Sequence, residues 1–116
     1  MVTNQRIPDV TAWLPVKSTV FLILLALAEE DRHGYGIMLD VKERSDGSVN
    51  LGTSHLYRHL KRLLDDGLVE ETDAAADADP RRRYYRLTAL GREVVVAESA
   101  RLKMLVEQSQ RLGFVK

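Results

Sequence analysis

The stretch TSHLYRHLKRLLDD, Thr53 to Asp66, sorts its leucines from its cations. At roughly 100° per residue, Leu56, Leu60, Leu63 and Leu64 fall in one stripe. Ser54, Arg58, Lys61, Arg62 and Asp65 fall on the opposite side, with Tyr57 on the flank. The pattern predicts an amphipathic helix, with Thr53 or Ser54 as N-cap and Gly67 at its end. A cationic helix face is more often plain solvated surface than a binding surface, so its neighbours decide what it does.

Upstream, Ile7 to Leu14 reads as a short leading helix or turn punctuated by Pro8 and Pro15. Lys17 to Glu30 is apolar on nearly every side, which predicts a helix buried on several faces, including against another subunit. Asp31 to Gly34 reads as a turn whose glycine suits a helix C-terminus. Tyr35 to Arg44 places Ile37, Met38 and Val41 at helical spacing. Ser45 to Ser48 is a loop by composition, and Val49 and Leu51 suggest a brief strand.

Downstream, Leu68 to Thr72 and Arg83 to Leu87 alternate as a pair of strands joined by a polar tip from Asp73 to Arg82. Thr88 reads as the N-cap of a last helix carrying Leu90, Val94, Val95, Ala97, Leu102, Leu105, Val106 and Leu112, with Glu93 as a charge partner for its N-terminus. Three short helices, a hairpin and a closing helix predict a mainly α chain with a small β-hairpin (α+β). The architecture is a winged helix-turn-helix over residues 1–87, followed by a C-terminal dimerisation helix over 88–116.

Composition agrees with such a chain. Its 116 residues suffice for a single core, and 45% apolar with 29% charged residues is ordinary for a globular protein. With no cysteine there is no disulfide framework, thiol chemistry or cysteine-based zinc site. The longest apolar run, Val20 to Ala28, falls well short of the roughly 20 residues that span a bilayer. No signal peptide is evident, which leaves the cytoplasm as the expected location and no membrane as a partner. Seventeen basic and seventeen acidic residues cancel. That balance argues against nucleic-acid binding unless the cations gather on one face. Two clusters offer this: Arg58, Lys61 and Arg62 on the helix, and Arg81, Arg82, Arg83 and Arg86 at the hairpin.

In a winged helix the third helix enters the major groove, which is about 12 Å wide. There an Arg bonds a guanine edge, while Lys, Ser and the helix N-terminus hold phosphates. Arg81 to Arg83 at the tip reach toward the adjacent backbone or minor groove. The same three arginines would also suit a surface turn paired to Asp77 and Asp79. Double-stranded operator DNA is nonetheless the expected partner.

Five co-linear motifs between about residues 15 and 100 carry a resemblance: Leu24-Leu-Ala-Leu27, His33-Gly-Tyr-Gly-Ile37, Leu56-Tyr57 running on to Leu60-Lys-Arg-Leu63, Asp66-Gly-Leu-Val69, and Arg81-Arg-Arg-Tyr-Tyr-Arg-Leu-Thr-Ala-Leu-Gly91. Together they resemble the short form of the PadR-like family of bacterial transcriptional regulators. The resemblance implies that Tyr35 and Tyr57 lie near the DNA backbone and that Arg58, Lys61 and Arg62 belong to the reading helix. It also implies that Arg82 and Arg83 form the wing, and that the last helix pairs with a second subunit. Where the family usually has a small hydroxyl residue before Leu-Tyr, this chain has His55, which moves the cap and its phosphate contact toward Thr53 or Ser54.

A homodimer follows from the residues as well. Val94, Val95, Leu102, Leu105, Val106 and Leu112 sit on a terminal helix with little core left to cover them. An isologous pairing buries them and sets two reading helices roughly 34 Å apart, which suits an inverted repeat. Arg101 and Ser109 interrupt the stripe, so a long coiled coil is not expected. Some members of the resembled family bind flat aromatic compounds in a cavity at the dimer interface. Trp13, the only tryptophan, would line such a cavity with Phe21, Val94, Ala97 and Met104. A small-molecule effector releasing a repressor from its operator is then the implied regulation.

His55 and His59 stand i, i+4 and would face one metal, but no third ligand is evident, so neither metal nor other cofactor is expected. No catalytic triad, carboxylate pair or phosphate loop is present, and the chain does not read as an enzyme. The competing reading is a winged helix used only for protein–protein contact. A weaker one is a metal-responsive regulator using the two histidines.

Overall fold

The computed structural model describes residues 9–73 and 82–116. Arg81, the aspartates at 77 and 79, and the leading residues Ile7 and Pro8 lie outside the described residues. A 3₁₀ turn at Thr11–Trp13 leads into α1 (Ser18–Glu29), β1 (Arg32–His33), α2 (Gly34–Arg44), α3 (Thr53–Asp65), β2 (Val69–Thr72), β3 (Tyr84–Leu87) and α4 (Ala89–Arg111). The sheet is antiparallel in the order β1-β3-β2. Val69 faces Leu87 and Thr72 faces Tyr84 across the hairpin, and Arg32 faces Tyr85 across the added strand.

One core unites every helix. Ile23, Leu24 and Leu27 of α1 meet Ile37 and Val41 of α2, Leu56, Leu60 and Leu63 of α3, Leu87 of β3 and Val94 of α4. Each such side chain removed from water contributes on the order of 2 kcal/mol. The leucine stripe of α3 is therefore inward, with Leu64 at its half-buried margin. Gly67 ends α3 as expected, with Leu68 N–H donating to the Leu63 carbonyl at 3.0 Å.

Several expectations are corrected. The Asp31–Gly34 turn contains β1, and Gly34 opens α2 instead of closing α1. It is buried where a Cβ would run into the Tyr57 hydroxyl, so only glycine admits that ring. The helix cap there is His33, whose Nδ1 accepts from Gly36 N–H at 3.0 Å. Val49 and Leu51 form no strand and pack as half-buried residues at the edge of the core. Neither Thr53 nor Ser54 caps α3; the N-cap is Gly52, without a side-chain hydrogen bond. At α4, Glu93 lies beyond the first turn and is not a terminal charge partner. Val94 is fully buried within the subunit, so it cannot meet a second copy.

Thr88 does cap α4. Its hydroxyl accepts from Gly91 N–H at 3.0 Å and donates to the Gly67 carbonyl at 2.7 Å, while its own N–H donates to Leu68 at 3.1 Å. The start of α4 is thereby stitched to the turn that ends α3. Further along, Glu98 is buried and forms a two-pronged pair with Arg101 at 2.7 and 2.8 Å. The guanidinium, aided by the Val16 N–H, holds this carboxyl below the ordinary Glu range against the opposing push of burial. From Leu102 to the C-terminus every residue except the half-buried Ser109 is exposed, including Leu105, Val106 and Leu112.

Candidate nucleic-acid interface

α3 presents Thr53, Ser54, His55, Tyr57, Arg58, Lys61 and Arg62 as exposed residues. Lys61 shares its charge with Asp65 at 3.4 Å, an open i, i+4 pair worth roughly 0.3–0.5 kcal/mol and readily exchanged. Arg58 and Arg62 form no ion pair among the described residues. Tyr35, on the first turn of α2, is more than half exposed.

The wing is joined to this face by a short run of contacts. Tyr57 of α3 rests on Gly34; the preceding residue, His33, meets Arg82 with Nη1 2.9 Å from Nε2 and stacks edge-on against Tyr84 at 5.3 Å. β1 pairs with β3 at the same place. Arg82 thus stands beside the N-terminus of α2 rather than free at a tip. Arg83 is exposed and bonded to Glu71 at 3.0 Å, and Arg86 to Glu70 at 2.8 Å. Exposed pairs of this kind contribute little to stability. A phosphate arriving at Arg83 exchanges one anion for another.

The contacts thus link Tyr57 of α3 to Arg82 of the wing through Gly34 and His33, with Tyr35 on the same turn of α2, while Arg58 and Arg62 border the leading segment around Trp13. Residues 23–97 match the transcriptional regulator PadR-like family. The chain belongs to that family. A PadR family transcription regulator from Clostridium difficile is 25% identical, covering 83% of this chain and 98% of its own, with a TM-score of 0.70. A PadR-like transcription factor from Bacteroides fragilis is 26% identical over 81% of this chain and 88% of its own, TM-score 0.66. An uncharacterised protein of Lysinibacillus sphaericus is 29% identical over 89 residues, 74% of this chain and 82% of that protein.

As a PadR-like winged-helix protein, the chain is a DNA-binding transcriptional regulator and not an enzyme. Among the described residues no helix is long and apolar enough to cross a membrane, and no group of three or more metal-ligating side chains assembles. His55 is exposed on the outer face of α3, whereas His59 is half-buried against the leading segment. Burial, with Arg58, Lys17 and His55 nearby, holds the His59 pKa below the usual histidine value.

Sequence reasoning passed over His33 as a link to the wing, because two residues of strand carry no alternation to detect. It also passed over Lys17 as a neighbour of α3. Of the residues expected at an interface cavity, Trp13 and Val94 line one cavity of this subunit, and Phe21, Ala97 and Met104 lie outside its walls. Met104 instead lies half-exposed on the free part of α4.

Proposed function

We propose that this PadR-like regulator works as a homodimeric repressor on an inverted-repeat operator, in the cytoplasm. α3 enters the major groove, with Arg58 and Lys61 toward base edges and Ser54, Tyr57 and Arg62 toward phosphates. Tyr35, Arg82 and Arg83 flank the adjacent backbone. Residues 1–87 serve as the DNA-binding part and 88–116 as the dimerisation helix, whose N-terminal half also completes the core. The seam is Leu102, Leu105, Val106 and Leu112, with Val95 at its edge.

The observation that carries this reading is the exposed cationic face of α3, with Arg58, Lys61 and Arg62, in a chain whose wing is tied to α2 through His33 and Arg82. The family's regulators are typically dimeric, and the exposed apolar residues beyond Arg101 supply a surface for pairing. Fluorescence anisotropy on the promoter fragment upstream of its own gene tests the proposal. Counterion release from roughly 6–10 phosphate contacts weakens binding about 10³- to 10⁵-fold between 50 and 200 mM salt. The double substitution Arg58→Ala with Lys61→Ala abolishes preference for that fragment over scrambled duplex. A flat salt response, or an unchanged preference in the double variant, defeats the proposal.

A further inference from the structure

β1 is only two residues long, yet it joins the helices to the wing. So short a ladder is a weak anchor, because a backbone hydrogen bond contributes only about 1 kcal/mol net. The side chains do the holding, in two directions. His33, in register with Tyr84, caps α2 and meets Arg82. Arg32, in register with Tyr85, turns the other way, into the helices.

The Arg32 Nε donates to the Ala26 carbonyl at 2.8 Å, in the last turn of α1, where carbonyls lack helical partners and a cation is favoured. Its Nη2 reaches Asp40 of α2 at 3.2 Å and Glu29 of α1 at 3.3 Å. Asp40 also holds Arg44 at 2.6 Å, and Arg44 returns to Glu29. Arg32, Asp40, Arg44 and Glu29 therefore close a ring of alternating charge. The side chains of Arg32 and Asp40 are only 16% and 14% exposed, unlike the open surface pairs that contribute almost nothing. Taking one partner out of a sheltered set leaves the others poorly matched. Without the Asp40 carboxylate, two guanidinium groups share Glu29, with Glu30 at 3.7 Å from Arg32.

We propose that Arg32 and Asp40 are positioning residues for DNA binding: the ring fixes β1, and β1 fixes the angle at which the wing stands to α3. Both act through the wing arginines and not by contact with DNA. The consequence for DNA rests on the winged-helix reading above; the hold on β1 does not. Sign separates this role from plain electrostatics. Deleting a carboxylate makes a protein's field more attractive to DNA, whereas deleting this one releases the wing and weakens binding.

Asp40→Asn is compared with Glu43→Gln, which removes the same charge from the exposed end of α2 outside the ring. Without DNA, Asp40→Asn speeds amide hydrogen exchange roughly tenfold in peptides spanning 30–36 and 82–87, while 94–101 of α4 keeps its rate. On the promoter fragment and on scrambled duplex it weakens binding by a similar factor, roughly tenfold, because the wing meets backbone and not bases. Its salt slope falls by about 2, the share of two phosphate contacts at Arg82 and Arg83. Arg82→Gln with Arg83→Gln gives the same loss, and adding Asp40→Asn to that pair weakens binding by less than about twofold more. Glu43→Gln binds as tightly as the parent or more tightly. Unchanged exchange in Asp40→Asn overturns the hold on β1. Parent-like or tighter DNA binding, or a loss that adds in full to the arginine pair, overturns the positioning role. If Asp40→Asn does not fold, Arg32→Lys is held to the same outcomes, since one ammonium keeps the charge but cannot span Ala26 and Asp40 together. A parent chain with a flat salt response and no preferred fragment defeats the DNA reading and the positioning role with it, while exchange still decides the hold on β1.

Discussion

Gly91 is the position at which one added methyl group has the most to displace. A Cβ there would collide with the Leu68 carbonyl oxygen and stand 2.6 Å from Leu87 Cδ1. The first obstacle is backbone, and that same carbonyl accepts the Thr88 N–H at the start of α4. Gly91→Ala gains about 1 kcal/mol of helix propensity. Against this stands overpacking, about 1–3 kcal/mol where side chains yield and more where backbone must. Loss or lengthening of the Thr88 hydrogen bond adds about 1 kcal/mol. The net expectation is a destabilisation of about 2 kcal/mol, or roughly 8–16 °C in Tm for a domain near 100 residues. Urea unfolding followed at 222 nm, at matched protomer concentration, measures it. Gly34→Ala is the companion: its obstacle is only the hydroxyl end of the Tyr57 side chain, which swings away. That variant keeps its stability within about 1 kcal/mol and loses operator affinity through the displaced ring. If Gly91→Ala is as stable as the parent, the close approach of α4 to the α3–β2 turn is not as described.

Thr88→Ala removes an acceptor for Gly91 N–H and a donor to the Gly67 carbonyl, and its expected cost is about 1–2 kcal/mol in the same denaturation assay. Glu98 titrates lower in the fold than in the open chain, so its stabilisation is complete above the ordinary Glu pKa of about 4.3 and disappears as pH drops through the lower folded value. Glu98→Gln is accordingly less stable than the parent at pH 7, with the gap in Tm narrowing toward pH 3; a gap independent of pH contradicts the assignment. Leu105→Asp places a charge in the proposed seam, and sedimentation velocity at micromolar concentration is expected to show a monomer, with operator affinity reduced. A persistent dimer relocates the seam.

The elements with strong periodicity were readable from sequence because one physical pattern dominated each. The α3 stripe, the hairpin strands and the Thr88 cap are local features, and they appear where expected. Gly34 was misread because a glycine after a polar turn looks the same whether it ends one helix or lets an aromatic ring approach the next. Only the distant Tyr57 distinguishes the two. β1 escaped notice since a two-residue strand exists through its partner β3 and has no signature of its own. The cationic side of α3 was legible, but not which cations are already matched: Lys61 by Asp65, Arg83 by Glu71, with Arg58 and Arg62 left over. Trp13 was singled out as an aromatic lining residue. Its neighbours were missed because α3 approaches the leading segment only in the folded core.

The stitching of Thr88 to Gly67 makes α4 a stiff pointer fixed to the base of α3. At 23 residues and roughly 1.5 Å per residue it is about 35 Å long. In a dimer paired near the far end of α4, a hinge error of about 5° at this joint shifts a reading helix by about 3 Å, close to the roughly 3.4 Å rise of one base pair. On the proposed dimer, operator spacing would be set by this joint, and variants there would change which half-site separation is accepted before they change which bases are read.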